Sequence, residues 1–145
     1  MSEEGFFATM VMSRYWPRTG KVHIARAGHQ HPLWVKNHGF QELTNINGIP
    51  IGIDSEAEYE KVAFDLLPGE SILLVTDGIT EAENEKGELF GNNRLTDYFK
   101  LATGPPWSQG LLEKIDSWRG GAVMNDDLTI LELWRDLPSN VVGPN

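Results

Sequence analysis

The sequence predicts an α+β fold, an antiparallel β-sandwich with helices packed to one side. Three observations carry this. The first half of the chain reads as short strands separated by Gly- and Pro-containing turns. Two helical patterns follow, the first around Leu95–Ala102 and the second around Ser108–Trp118. One alternating segment then closes the ordered part of the chain. Strands first, helices next and a strand last is the order of α+β, not of alternating βαβ units.

Phe6 to Trp16 is rich in Phe, Val, Met and Thr, and Pro17-Arg18-Thr19-Gly20 follows it as a tight turn. Lys21-Val22-His23-Ile24-Ala25-Arg26 alternates polar and apolar, so the two segments predict a hairpin. His31 to Lys36 and Phe40 to Thr44 predict a second pair, joined through Asn37-His38-Gly39. Gly48-Ile49-Pro50-Ile51-Gly52-Ile53 reads as an apolar loop, and Glu58 to Leu66 alternates as a strand again. Pro68-Gly69 turns the chain into Ser71-Ile72-Leu73-Leu74-Val75-Thr76. That run is apolar on both faces and predicts a central, buried strand ending at Asp77-Gly78.

Leu95, Tyr98, Phe99 and Ala102 fall at i, i+3, i+4 and i+7, one face of a helix that Gly104-Pro105-Pro106 stops. Ser108 is the expected N-cap of the second helix, with Trp107 and Leu112 placed as a hydrophobic staple. Leu111, Leu112, Ile115 and Trp118 form its expected buried face, and Gly120-Gly121 ends it. The last strand runs from Leu128 to Trp134, with Leu128, Ile130 and Leu133-Trp134 toward the core. The expected organisation is one domain over residues 1–134 and a flexible tail over residues 135–145, which is rich in Pro, Gly and Asn. There is no internal repeat.

Composition excludes several classes. The 145 residues hold 21 Asp+Glu against 12 Lys+Arg, a formal net charge of −9. That balance argues against nucleic acid and anionic membrane surfaces as partners. Zero cysteines removes disulfides, thiolate nucleophiles and Cys-ligated zinc. The longest apolar run, Ile72-Leu73-Leu74-Val75, is far short of the ~20 residues of a membrane span. The first residues, Met1-Ser2-Glu3-Glu4-Gly5, form no apolar signal core, so a cytoplasmic location is expected.

Asp77 stands where a buried strand meets a Gly turn, and a carboxylate in such a place is costly unless paired or bound to metal. The plain alternative is an Asp-Gly turn that caps a strand. Asn125-Asp126-Asp127 precedes the last strand, and hard cations such as Mg²⁺ or Mn²⁺ prefer such oxygen ligands. A solvated loop is the alternative there. The pairing raises the interest of both, because Asp77 and Asp126 would sit at neighbouring strand ends of one sheet. The run Glu81, Glu83, Glu85, Glu88 reads as a solvated face, with Glu81 alone close to Asp77 in sequence. His29 and His31 have the two-residue spacing of a metal-binding strand but lack an obvious third ligand. His29 is expected instead to hydrogen-bond backbone in a tight corner. No nucleophile elbow and no phosphate-binding Gly-rich loop ending in Lys-Ser/Thr is present.

Six segments then occur in a telling order: Phe7-Ala8-Thr9-Met10, Ala27-Gly28-His29-Gln30-His31-Pro32, Gly48-Ile49-Pro50-Ile51-Gly52, Thr76-Asp77-Gly78-Ile79-Thr80-Glu81, Phe90-Gly91 and Asp126-Asp127-Leu128-Thr129. Together they resemble the metal-dependent serine/threonine phosphatases related to protein phosphatase 2C, in the bacterial branch of sporulation stage II protein E (SpoIIE). The resemblance spans Phe6 to Trp134. It implies two antiparallel sheets flanked by helices and a dinuclear Mn²⁺ or Mg²⁺ centre whose bridging water attacks phosphorus. It implies that Asp77 and Asp126 are metal ligands; Asp127, in a more variable place, receives no metal role. The Ala-Gly-His and Gly-x-Pro-x-Gly segments look structural within that family.

One departure is large. Family members carry a Gly-Asp strand and a Gly-Asp-x-x-Gly-His-Gly segment ahead of the Phe-x-Thr strand, and these supply the remaining metal-binding Asp and backbone carbonyl. Here the Phe-x-Thr strand follows Met1–Gly5 directly. The expectation is therefore the C-terminal part of a phosphatase domain, without its N-terminal strands and helices. Its substrate would be a phosphorylated regulatory protein such as an anti-sigma-factor antagonist, and a sensor or receiver module would precede it. The alternative is a catalytically inactive interaction module that keeps the fold. In either case an exposed sheet edge is expected, open to a second copy or a further segment.

Overall fold

The computed structural model describes residues 5–36, 39–123 and 127–138. Its elements are β1 (Met10–Trp16), β2 (Lys21–Ala27), β3 (Leu33–Lys36), β4 (Gly39–Glu42), β5 (Lys61–Asp65), β6 (Ser71–Val75), α1 (Gly91–Leu101), α2 (Trp107–Arg119) and β7 (Ile130–Trp134). One sheet has the order β1-β2-β5 and the other β4-β3-β6-β7. Every pairing is antiparallel. The α+β prediction and both predicted hairpins hold; the connection at Asn37-His38 lies outside the described residues.

Two hydrophobic clusters fix the layering. Val22, Ile24, Leu66 and Ile72 are buried between the sheets together with Leu43 and Ile46. On the other face of the four-stranded sheet, Leu33, Val35, Leu73 and Val75 meet Phe99 and Leu111 from the helices. Alternation along β6 sends Ile72 one way and Leu73 and Val75 the other, so this strand is buried on both faces as predicted. Each fully buried aliphatic or aromatic side chain here contributes about 1.5–3 kcal/mol.

The helices follow the predicted spacing, with Leu95 and Phe99 buried on α1 and Trp107, Leu111 and Ile115 on α2. The predicted start of α2 is corrected. Trp107 is already the first helical residue, and no side chain caps the helix from the Pro106 N-cap position. The acceptor comes from β7: the Glu132 carboxylate takes the N–H groups of Trp107 (3.0 Å) and Ser108 (2.9 Å). One anionic group thus satisfies two free donors at the positive end of the helix. With the N-cap at Pro106, Trp107 is a helical residue and no longer holds the staple position before the cap, and Leu112, expected on the buried face, is 39% exposed. On β7, Leu133 packs against the inter-sheet core while Trp134 is 41% exposed.

The chain past β7 is held at its first residue. Arg135 donates through one guanidinium nitrogen to the carbonyls of Thr19 (3.2 Å) and Leu66 (2.9 Å). Its backbone also pairs with Glu70 and Gly69. β1 forms one edge of the three-stranded sheet, with Phe6, Phe7 and Met12 exposed beside or along it. Among the described residues no helix is long and apolar enough to cross a membrane.

The cap from β7 is testable. Glu132→Ala should lower unfolding free energy by roughly 2 kcal/mol, because two donors at a buried helix start lose a charged acceptor. Urea denaturation of this variant, with Glu132→Gln as the milder partner, measures it; an unchanged midpoint in both would remove Glu132 from the account.

Candidate active site

Chain direction brings the conspicuous segments to one end of the sandwich. β2 ends at Ala27, and residues 28–32 cross from the three-stranded sheet to the start of β3 in the other. Gly28 makes that crossing possible: its φ is +67° and a side chain there would collide with the Pro50 ring. Its N–H donates to the Gly48 carbonyl at 2.8 Å, so the Gly-x-Pro-x-Gly loop braces the crossing. β6 runs antiparallel to β3, with Leu33 opposite Leu73, so the C-terminal end of β6 faces the same crossing.

There the chain passes through Thr76 into a single 3-10 turn over Asp77–Ile79. Gly78 and Ile79 are buried, and Asp77 is exposed. The segment leading into β7 lies flat against this turn. Thr76 donates its hydroxyl to the Asp127 carbonyl (3.2 Å) and accepts on the same oxygen from the Thr129 N–H (3.1 Å). Its backbone N–H donates to the Thr129 carbonyl at 3.2 Å. A side chain at position 78 would stand 2.8 Å from the Asp127 carbonyl oxygen, so only glycine permits this approach. Thr76 and Gly78 are thus the structural half of the Thr-Asp-Gly motif, and Asp77 is the residue left facing outward.

Asp77 lines a cleft of about 160 Å³ together with His31, Glu42, Thr80, Asn92 and Gln30. Glu81 is not among its lining residues, although its N–H donates to the Asp77 carbonyl. The rest of the acidic run is partly structural: Asn84 ties Lys86 and Glu88 into a turn, and Glu85 accepts from the Gly121 N–H. Asp126, the second predicted ligand, lies outside the described residues.

A backbone bond is expected of His29; among the described residues its Nδ1 lies 3.3 Å from the Thr9 hydroxyl. That contact links the Ala-Gly-His and Phe-Ala-Thr segments directly. His31 enters the cleft, and burial pushes its pKa below the usual value; the Arg26 charge acts in the same direction and Glu42 against it. Sequence reading missed Glu42 and Asn92. Glu42 is the last residue of a strand and Asn92 the second of a helix, and neither position carries a local signal of its own.

Does this donor set fit a two-metal centre? Asp77 offers the hard oxygen ligand that Mn²⁺ or Mg²⁺ favours. Among the described residues, however, no three His, Asp or Glu side chains converge as a metal-holding group. The described residues do not make a complete centre by themselves.

Residues 1–136 match the family model described as Stage II sporulation protein E (SpoIIE). Protein IcfG of Synechocystis sp. is 26% identical over 136 residues, 90% of this chain and 21% of that protein. The SiaA-PP2C domain of Pseudomonas aeruginosa is 25% identical with a TM-score of 0.65, covering 82% of this chain and 48% of that one. The phosphatase domain of the cell fate determinant SpoIIE from Bacillus subtilis, in a crystal form without domain swapping, superposes with a TM-score of 0.66 at 19% identity. That match covers 94% of this chain and 60% of the other. The chain thus spans about half the length of these two solved domains and about a fifth of IcfG.

Two outcomes test the site's construction. Thr76→Val should cost about 1–2 kcal/mol and speed hydrogen exchange at the Thr129 amide, since two bonds through one hydroxyl are lost. Unchanged exchange at Thr129 would contradict the bracing role. His31 should titrate below 6.5 by NMR. Because the folded chain holds that proton less tightly than the unfolded chain, stability should fall as pH drops from 6.5 toward the lower folded value. His31→Asn should remove that part of the pH dependence.

Proposed function

The chain belongs to the Stage II sporulation protein E (SpoIIE) family, and from that premise we propose that it carries the Asp77 side of the active site of a metal-dependent serine/threonine protein phosphatase. One observation supports this above the others. The Thr-Asp-Gly turn ends the strand on which both core layers pack, and it holds Asp77 at the cleft while gripping the segment that follows Asp126.

In this reading Asp77 and Asp126 are ligands of a Mn²⁺ or Mg²⁺ centre whose remaining carboxylates come from other polypeptide. Such a centre, when loaded, supplies an activated water and neutralises phosphoryl charge. The chain's own part is positional. The doubly buried strand fixes the Asp77 backbone, and Thr76 fixes the spacing between the turn and the Asp127–Thr129 segment. A ligand on a strand end is placed more rigidly than one on a free loop.

The substrate we propose is a phosphorylated regulatory protein of the anti-sigma-factor antagonist kind, in the cytoplasm. A net charge of −9 fits a protein partner better than a nucleic acid or an anionic membrane. A sensor or receiver module would act on the domain, and the open edge of β1 would take a second copy of the chain or a further strand. The residue ranges 1–134 for the domain and 135–145 for a tail belong to the same proposal. A second reading, an interaction module without turnover, draws support from the lack of three converging metal-ligand side chains among the described residues.

Calorimetric titration with Mn²⁺ should show weak binding by the 145-residue chain, reduced by Asp77→Asn and again by Asp126→Asn. Equal binding by the double variant would sink the ligand assignment. Hydrolysis of a chromogenic phosphate ester should be Mn²⁺-dependent in a longer polypeptide carrying this chain and should fall at least a hundredfold in Asp77→Asn. Silence in both polypeptides would favour the interaction module.

A further inference from the structure

α1 and α2 both pack on the four-stranded sheet, and a groove of about 670 Å³ opens between them. That volume lies within the ~300–1,000 Å³ usual for small-ligand sites. Its apolar surface comes from Tyr98, Leu101 and Ala102 on the α1 side and Trp118 on α2, with the buried Phe90 beneath. Its charged groups are Arg94, Asp97 and Lys114. None of these residues lines the Asp77 cleft.

Arg94 is held where it stands. Its guanidinium carbon is 3.6 Å from the centroid of the Trp118 ring. One guanidinium nitrogen, Nη1, donates to the carbonyls of Leu89 and Phe90, both at 3.1 Å. Among the described residues Nε and Nη2 make no hydrogen bond, no carboxylate pairs with the group, and neither nitrogen is sealed in the core. Three contacts therefore fix the cation while it keeps free donors. Lys114 likewise has no ion-pair partner among the described residues. Asp97, the one acid of the groove, lies 3.9 Å from Lys100. Two unpaired cations are uncommon company in a chain of net charge −9. A guanidinium fork takes both oxygens of a carboxylate, and an arginine already ordered loses little freedom in doing so. Two cations against one acid favour a single negative charge, and the aromatic wall calls for an apolar body.

We propose that the groove between α1 and α2 is a binding site for a small amphipathic carboxylate. Its apolar body rests against Tyr98, Leu101 and Trp118, and its carboxylate meets Arg94 and Lys114. Binding makes and breaks no covalent bond. The site stands independently of the phosphatase reading, because it shares no residue with the Asp77 cleft.

The test titrates the 145-residue chain with 4-phenylbutyrate, followed by NMR at constant pH and ionic strength. Acetate supplies the carboxylate alone, and 4-phenyl-1-butanol the apolar body alone. The backbone signals of Tyr98 and Leu101 and the indole signal of Trp118 should shift saturably with the probe, with a dissociation constant on the order of 1 mM. Acetate should leave them in place, and the alcohol should bind roughly tenfold more weakly. Arg94→Lys, which keeps charge but not the fork, should weaken the probe about tenfold, and Lys114→Gln about threefold. Leu101 is 81% exposed, so Leu101→Glu spares the core and should abolish saturable binding. Unmoved signals of Leu73 and Val75 on β6 report an intact fold in each variant. Equal affinity for the acid and the alcohol would overturn the proposal, as would wild-type affinity in both Lys114→Gln and Leu101→Glu. An absence of saturable shifts with the probe overturns it too. Binding of a helical peptide of Leu and Glu, without binding of 4-phenylbutyrate, would assign the groove to a protein segment instead.

Discussion

Burial of β6 on both faces is the constraint from which the remaining architecture follows. A strand whose successive residues Ile72, Leu73, Leu74 and Val75 are all apolar needs an apolar layer above and below. The three-stranded sheet supplies one layer and the two helices the other. Once both are in place, β6 is held from both sides up to its end. A polar side chain placed two residues beyond it inherits that rigidity, which is the situation of Asp77.

The end of the sandwich is held together by small groups. Thr9 touches His29, Gly28 bonds Gly48, and Thr76 binds both Asp127 and Thr129. Each contact joins two of the segments that make the sequence resemble its family. Motifs scattered from residue 7 to residue 129 are therefore one local structure, in which several short residues buttress few reactive ones. His31 and Glu42 add titratable groups to the cleft in this frame, and burial, more than any neighbouring charge, lowers the pKa of His31.

Much of the fold was legible in the sequence because its signals are local. The turn at residues 17–20, the apolar run of β6 and the Leu95–Tyr98–Phe99 spacing each report on neighbours a few residues away. The failures have a common physical cause. Ser108 has the right chemistry for an N-cap, but the cap position falls two residues earlier at Pro106, and Glu132, 24 residues beyond Ser108, accepts the Ser108 N–H. His29 finds the Thr9 hydroxyl, 20 residues back, which no local pattern announces. In the site, Asp77 was legible from a strand–Gly junction, and Glu42 and Asn92 were not. Those two are brought to the cleft by sheet register and helix placement, which leave no pattern in a single sequence.

The Glu132 contact also bears on how the chain acquires its structure during synthesis. Helix α2 is complete in sequence at Arg119, yet the acceptor for its first N–H groups belongs to a strand made later. Until β7 leaves the ribosome, α2 has an uncapped, water-exposed start and β6 has an open edge. The closing of the helix layer and the closing of the sheet thus both depend on β7. The site end shares that dependence, because the segment that Thr76 grips is the one that leads into β7.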